Sequence, residues 1–270
     1  MNSKPTTIKF LHPGSERKLT PTEITNKIAN WNTGDHNRKY LEVKGEYLTS
    51  LNSAIKSETI GFWGEWEAES HIIKTLIPNH STLPHYVHQP ILPSTTPKSR
   101  GTRFLNTDPC VFGSNFLYSN CKQSMRSLQN LDIGDVIIFG SQKQGVFVVD
   151  TVFVVGNIIK FNRRNLQATI GDKVEGWFYH LTLNLLAGSH TLYIGATYNN
   201  PVNGIFSFFP CVPSSQYPNG FSLPRTLQAY NTGQSRGIRY RNLGSPNVEW
   251  SNVVNDVLNS GLCLGIKAII

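Results

Sequence analysis

The segment from Asn106 to Gln123 carries a single carboxylate, Asp108, in a loop punctuated by proline and glycine. A segment used only for packing would not need so many hydrogen-bonding groups around one acid. Flat rings beside amides and a carboxylate suit a pocket for a planar polar ring, because rings stack on its faces and amides read its edge. The candidate base-binding residues here are Asn106, Phe112, Asn115, Phe116, Tyr118 and Asn120. An edge strand with an ordinary turn is the alternative interpretation.

A second dense motif, GFWGEWE at residues 61–67, places tryptophans beside two carboxylates. Strand alternation would put Trp63, Glu65 and Glu67 on one face and the other two rings on the opposite face. A tryptophan next to carboxylates suits a ring with exocyclic amino groups or sugar hydroxyls. The alternative is a strand whose other two rings lie in the core while the glutamates face water.

The whole chain is basic, with 25 Lys and Arg against 17 Asp and Glu, a net charge of +8 and a pI of about 9.3. This surplus favours a polyanionic partner, nucleic acid first and an acidic membrane surface second. No acid occurs between Glu175 and Glu249, and a separate basic group precedes Asp108. We predict phosphate contacts from these groups, with an ordinary solvated face as the alternative. The predicted contacts are Lys98, Arg100, Arg103, Lys122, Arg236, Arg239 and Arg241.

Several familiar chemistries lack their motifs. The chain has no G-x-S-x-G elbow, no G-x-G-x-x-G loop and no Walker A sequence, which argues against acyl transfer, dinucleotide redox chemistry and nucleotide hydrolysis. The HxxH spacing of His85 and His88 matches no zinc site, so we expect no metal and no cofactor. We expect the four scattered cysteines, which form no CxxC pair, to be reduced thiols. Residues 1–10 lack the apolar core of a signal peptide, which favours a cytoplasmic protein outside the membrane, and no obligate protein partner is indicated.

The elements that must position these residues are mostly strands. Apolar patterns predict strands over 8–11, 40–47, 60–67, 134–140, 145–155, 158–161, 181–186 and 192–196. We therefore expect one α+β domain over residues 1–270, built around a strongly bent or barrel-like antiparallel or mixed sheet. A subdivision near residues 155–175 is possible.

Two helices have clear sequence signals. Thr20-Pro21-Thr22-Glu23 is a capping box, and the spacing of Ile24, Ile28 and Trp31 predicts a helix with one buried face. An amphipathic C-terminal helix is predicted from about Ser245 to the stop at Gly261.

Three blocks together resemble prokaryotic domains associated with nucleotide modification, whose relatives occur with phage DNA-modification and defence systems. The blocks are WGEWE at 63–67, the segments 107–113 and 116–123, and GDVIIFG at 134–140. The Asp108-Pro109 loop with Phe116 also resembles the first motif of uracil-DNA-glycosylase-type enzymes, although the flanking Gly-Gln and aromatic-His are absent. That motif implies a water-activating acid and an aromatic residue that stacks on the flipped base. The segment GDVIIFG at 134–140, followed by GVFVVD at 145–150, resembles the hairpin of small PUA-like barrels that hold modified bases.

These observations give one leading hypothesis, a DNA glycosylase that excises a modified base from phage DNA. The flipped base would stack on Phe116 or Trp63 and Asp108 would activate water, with Glu65 or Glu67 as the reserve acid. The alternatives are a non-catalytic reader of modified bases and an enzyme that synthesises a modified base. We expect the substitution Asp108→Asn to leave the fold intact, because loop surfaces contribute little core energy.

Overall fold

Two β-sheets make up most of the structure, as expected for a chain rich in turn residues and β-formers. The computed structural model describes residues 6–12, 15–32, 37–76, 84–94, 105–119, 121, 123, 126–143, 146–216 and 245–270. The strands are β1 (Thr7–His12), β2 (Ile28–Ala29), β3 (Arg38–Leu48), β4 (Lys56–Glu65), β5 (Ser70–Thr75), β6 (Tyr86–Pro90), β7 (Leu117–Tyr118), β8 (Val136–Lys143), β9 (Val146–Asn162), β10 (Ser189–Gly195), β11 (Phe209–Pro213) and β12 (Cys263–Ile269). The helices are α1 (Pro21–Asn26), α2 (Arg126–Gln129), α3 (Leu166–Thr169), α4 (Gly176–Leu181) and α5 (Pro246–Asn259).

The seven-stranded sheet has the order β12-β11-β4-β3-β6-β5-β2. Its first strand, β12, also pairs with the second half of β3, so β3, β4, β11 and β12 form a closed ring. Strands β12 and β6 thus share the edge of β3 that lies opposite β4, since β6 pairs in parallel with the first half of β3. The predicted α+β class with a barrel-like mixed sheet is therefore confirmed.

The five-stranded sheet has the order β1-β8-β9-β10-β7 and depends on the long strand β9. The first half of β9 pairs with β8 and the second half pairs with β10. Phe153 faces one apolar cluster and Val152 and Val154 face another, which explains why this stretch is apolar on both faces. Two predicted strands are thus one, and β9 continues through the beginning of the stretch where a subdivision was considered.

The sequence predicted the N-terminal cap of α1 correctly but placed the end of this helix too late. Thr20 and Glu23 form the predicted capping box, but Lys27 turns left-handed at φ 53° and Ile28 enters β2. The predicted helix therefore stops one turn early, and Ile28 remains 36% exposed.

The C-terminal helix α5 lies where the sequence places it. Trp250, Val253, Val254 and Val257 are buried, and Gly261 follows the helix at φ +75°. The strand β12 that follows it was not predicted. The strand predicted over 181–186 is wrong, because this stretch ends α4 and continues as a 3-10 turn. A short apolar run fits a buried strand or a buried helical turn equally well.

Candidate functional site

Asp108 is a buried acceptor in a tight turn. The residue is only 1% exposed. Its Oδ1 accepts a hydrogen bond from the Ser119 N–H at 3.0 Å, and its Oδ2 accepts one from the Cys121 N–H at 2.7 Å. The expectation that Asp108 occupies a loop surface is wrong, because its carboxylate satisfies two backbone donors that the turn would otherwise leave unpaired. Both oxygens are thus engaged in holding the chain between residues 119 and 121.

The three rings of the Asp108 segment belong to the core. Phe112, Phe116 and Tyr118 are 1%, 2% and 0% exposed. Tyr118 stacks on Tyr193 with ring centroids 5.7 Å apart, and Phe112 meets Trp66 edge-on at 5.1 Å. Rings packed in this way present no face to a base, so their contacts here are those of core packing.

The other predicted residues of this segment are less enclosed or lie outside the described residues. Asn106 and Asn115 are partly buried. Predicted positions outside the described residues are Lys98, Arg100, Arg103, Asn120, Lys122, Arg236, Arg239 and Arg241.

The 61–67 motif forms a buried polar network. Trp63 Nε1 donates to Ser141 Oγ at 3.3 Å, and Ser141 Oγ lies 3.4 Å from Asp150 Oδ1. The Arg38 guanidinium lies between two acids, 3.2 Å from Asp150 Oδ2 and 3.5 Å from Glu65 Oε2. Neither glutamate of the motif faces water, in contrast to the alternative interpretation, while its other two rings do lie in the core.

Glu67 extends this network towards the Asp108 loop. Its Oε2 accepts the Thr107 hydroxyl at 2.7 Å, and Thr107 is the neighbour of Asp108. Burial, followed by the negative charge of Glu65, raises the pKa of Glu67 well above its usual range. The two sequence motifs are therefore joined by polar contacts. Trp63 and Phe116 nevertheless pack in separate apolar clusters, so they form no common stacking pocket.

An open cleft lies beside the turn that Asp108 holds. It encloses about 910 Å³, within the size range of small-ligand sites. Amides, one lysine and one histidine supply most of its polar groups. The lining residues are Gln123, Gln129, Asn130, Lys160, Phe161, Asn162, Asn165, Ala187, Gly188, Ser189, His190 and Thr191.

The floor of the cleft is formed by the paired ends of β9 and β10. Phe161 lies opposite His190 in the ladder, and their rings are stacked with centroids 5.9 Å apart and planes inclined by 28°. His190 Nε2 lies 2.8 Å from the Ala187 carbonyl oxygen. Since a carbonyl can only accept, Nε2 carries a hydrogen in this contact. Phe161 is buried beneath, whereas His190 is only partly buried.

Gln123 connects the Asp108 turn to this floor. Its Nε2 donates to the Thr191 carbonyl at 2.7 Å, and its Oε1 accepts from the Thr191 N–H at 3.3 Å. The Tyr118 hydroxyl donates to the Cys121 carbonyl at 2.6 Å in the same turn. Asp108 therefore acts as a positioning residue for one wall of the cleft.

The cleft has the chemistry of a binding site for a polar, flat or anionic group. None of the lining residues that the structure describes is an acid. The Gln129 side chain is exposed and makes no hydrogen bond with any residue that the structure describes. Sequence reasoning missed this site because Phe161 and His190 stand far apart in the chain and only the β9–β10 pairing brings them together.

In the described part of the chain, no group of three His, Cys, Asp or Glu side chains could hold a metal ion. All four cysteines are free thiols. Over the same described ranges, no helix has the length and apolar character needed to cross a membrane. No protein-family model, curated protein or solved structure matches the chain.

Proposed function

We propose that the protein binds DNA and recognises one unpaired or flipped base, as a reader of modified bases. The observation that carries this proposal is the amide-lined cleft with the stacked Phe161–His190 pair and no acid among its described lining residues. An aromatic face in such a cleft contributes about 1–3 kcal/mol per stacked base. Gln129 supplies a free amide of the type that pairs with base edges. The net charge of +8 adds attraction for phosphate.

Reading fits this cleft better than hydrolysis. A glycosylase acid must approach the sugar or a water, whereas Asp108 is buried and both of its oxygens hold backbone N–H groups. Among the described residues that line the cleft, His190 and Lys160 are the titratable ones. Binding needs no catalytic carboxylate, so the cleft is complete for recognition as it stands.

Excision of the base is the second candidate function, and the neighbouring carboxyl groups of Glu65 and Glu67 favour it. Two such groups in environments that differ in charge can serve as proton donor and acceptor. Glu65 faces the Arg38 guanidinium, while Glu67 has a raised pKa and accepts a hydroxyl hydrogen bond. Both residues are only 5% exposed, so this function requires the network to open towards DNA.

One experiment separates the two functions. Purified protein is incubated with heavily modified phage DNA and with the same sequence unmodified, and both binding and abasic sites are measured. A reader binds the modified DNA more tightly and leaves no abasic sites. Abasic sites that form with the wild type and disappear with Glu67→Gln would select the glycosylase. Equal affinity for both DNAs without abasic sites would contradict both functions.

A further inference from the structure

A turn rich in basic residues lies at the rim of the cleft. Lys160, Arg163 and Arg164 are all exposed, and they stand within five positions of one another at the end of β9. None of the three belongs to the basic groups in which phosphate contacts were predicted. Lys160 itself lines the cleft, and so do Asn162 and Asn165 on either side of the two arginines.

The backbone of this turn is held by its own asparagines. Asn165 Oδ1 accepts from the Asn162 N–H at 2.7 Å, and Asn162 Oδ1 accepts from the Arg164 N–H at 2.9 Å. The Asn165 N–H also donates to the Asn162 carbonyl at 3.1 Å. The two arginines therefore project from a turn whose conformation is fixed before any ligand binds, which lowers the entropic cost of binding.

The charges of the turn are available to a ligand. Neither the lysine nor the two arginines form an ion pair with any residue in the described part of the chain. Within the described ranges, no residue that lines the cleft offers a competing negative charge. An anion at this rim would thus meet three cations and no acid from the described part of the cleft wall.

We infer that Lys160, Arg163 and Arg164 form a phosphate-binding rim that holds the backbone of a single-stranded or unpaired nucleotide chain whose base enters the cleft. The part of this inference that concerns the base rests on the proposed function. The part that concerns the phosphate rests on the turn alone. One guanidinium group can donate two parallel hydrogen bonds to two phosphate oxygens, and a lysine adds a point charge. Phosphate contacts set position and salt dependence, while base selection stays with the cleft.

The test compares salt dependence in matched variants. For a single-stranded oligonucleotide of mixed sequence, log affinity falls with log salt by about 0.7 per phosphate contact. The double variant Arg163→Ser/Arg164→Ser should therefore lower the slope by about 1.4 and weaken binding of every sequence alike. The control Lys44→Ser/Lys56→Ser changes charge equally at exposed positions of β3 and β4, and its slope should match the wild type.

A probe without a base separates this inference from the proposed function. Inorganic tripolyphosphate should compete with the oligonucleotide on the wild type and bind much less to the arginine variant. If the slope is unchanged in the arginine variant while binding still depends on the base, the rim is refuted and the reader function stands. If tripolyphosphate binds at the rim but the oligonucleotide shows no dependence on its base, the rim stands and the reader function fails. Absence of binding by both probes would refute both.

Discussion

At Asp108, the carboxylate accepts hydrogen bonds from the backbone N–H groups of Ser119 and Cys121. Asp108→Asn keeps one acceptor oxygen and turns a donor group towards one of these N–H groups. A buried donor left unpaired costs about 1–3 kcal/mol, so the free energy of unfolding should fall by that amount. Urea denaturation measures the change. The exposed Asp172→Asn serves as control, and equal midpoints for the two variants would exclude a structural role for the Asp108 carboxylate.

Glu67 gives a prediction about pH. Its pKa in the folded protein lies above the ordinary glutamate value of 4.5. At a pH between these two pKa values, Glu67 is therefore protonated in the folded protein and ionised in the unfolded chain. The stability that this group contributes is fully present below pH 4.5 and is lost as the pH rises through the raised pKa. Glu67→Gln removes this dependence, so the variant should gain stability relative to the wild type as the pH rises.

The gain is at most about 1.4 kcal/mol per pH unit within that window. Urea denaturation at a series of pH values from acidic to neutral measures it. Asp172→Asn, an exposed change of acid to amide, should run parallel to the wild type. A Glu67→Gln curve that is parallel as well would show that Glu67 titrates like an exposed glutamate.

At the scale of elements, the change of partner along β9 depends on a glycine. A Cβ atom on Gly156 would lie 2.7 Å from the Ala196 nitrogen and 2.9 Å from its Cα, at the bulge where β10 shifts register. Backbone atoms cannot move aside as a flexible side chain can, so Gly156→Ala should destabilise the fold by about 1–3 kcal/mol. Gly176→Ala is the matched control, because nothing lies within 4 Å of its added Cβ. Equal thermal midpoints for the two variants would show that the change of partner along β9 does not depend on Gly156.

Local signals in the sequence predicted elements better than sites. The capping box of α1, the apolar face of α5 and the apolar run of β9 follow from neighbouring residues, and all three are found. The turn from Lys27 into β2 was missed because sheet pairing overrides the helical spacing there. The cleft could not be predicted, because it needs the register that sets Phe161 opposite His190. The clustering of aromatics and amides after Asp108 proved to be a core segment that supports the cleft rather than lining it, apart from Gln123.

At the scale of the whole molecule, the buried polar network connects the two sheets. Arg38 on β3 lies between Glu65 on β4 and Asp150 on β9, and the far end of β9 carries the cleft and its basic rim. Extruding a base from a duplex costs a few kcal/mol. Under the proposed function, phosphate contacts at the rim and stacking in the cleft would offset this cost. A protein that reads a flipped base in this way must gain affinity separately from the base and from the phosphates.

The most direct test measures the contribution of the base alone. A short single-stranded oligonucleotide is compared with an abasic backbone of the same length, which keeps every phosphate. Wild-type protein should prefer the base-bearing strand by about 1–3 kcal/mol, or roughly five- to 150-fold in affinity. His190→Ala and Gln129→Ala should each reduce this preference while leaving the affinity for the abasic strand unchanged, and Gln216→Ala, an exposed glutamine outside the cleft, should preserve it. Equal binding of the two strands by the wild-type protein would contradict the proposed function.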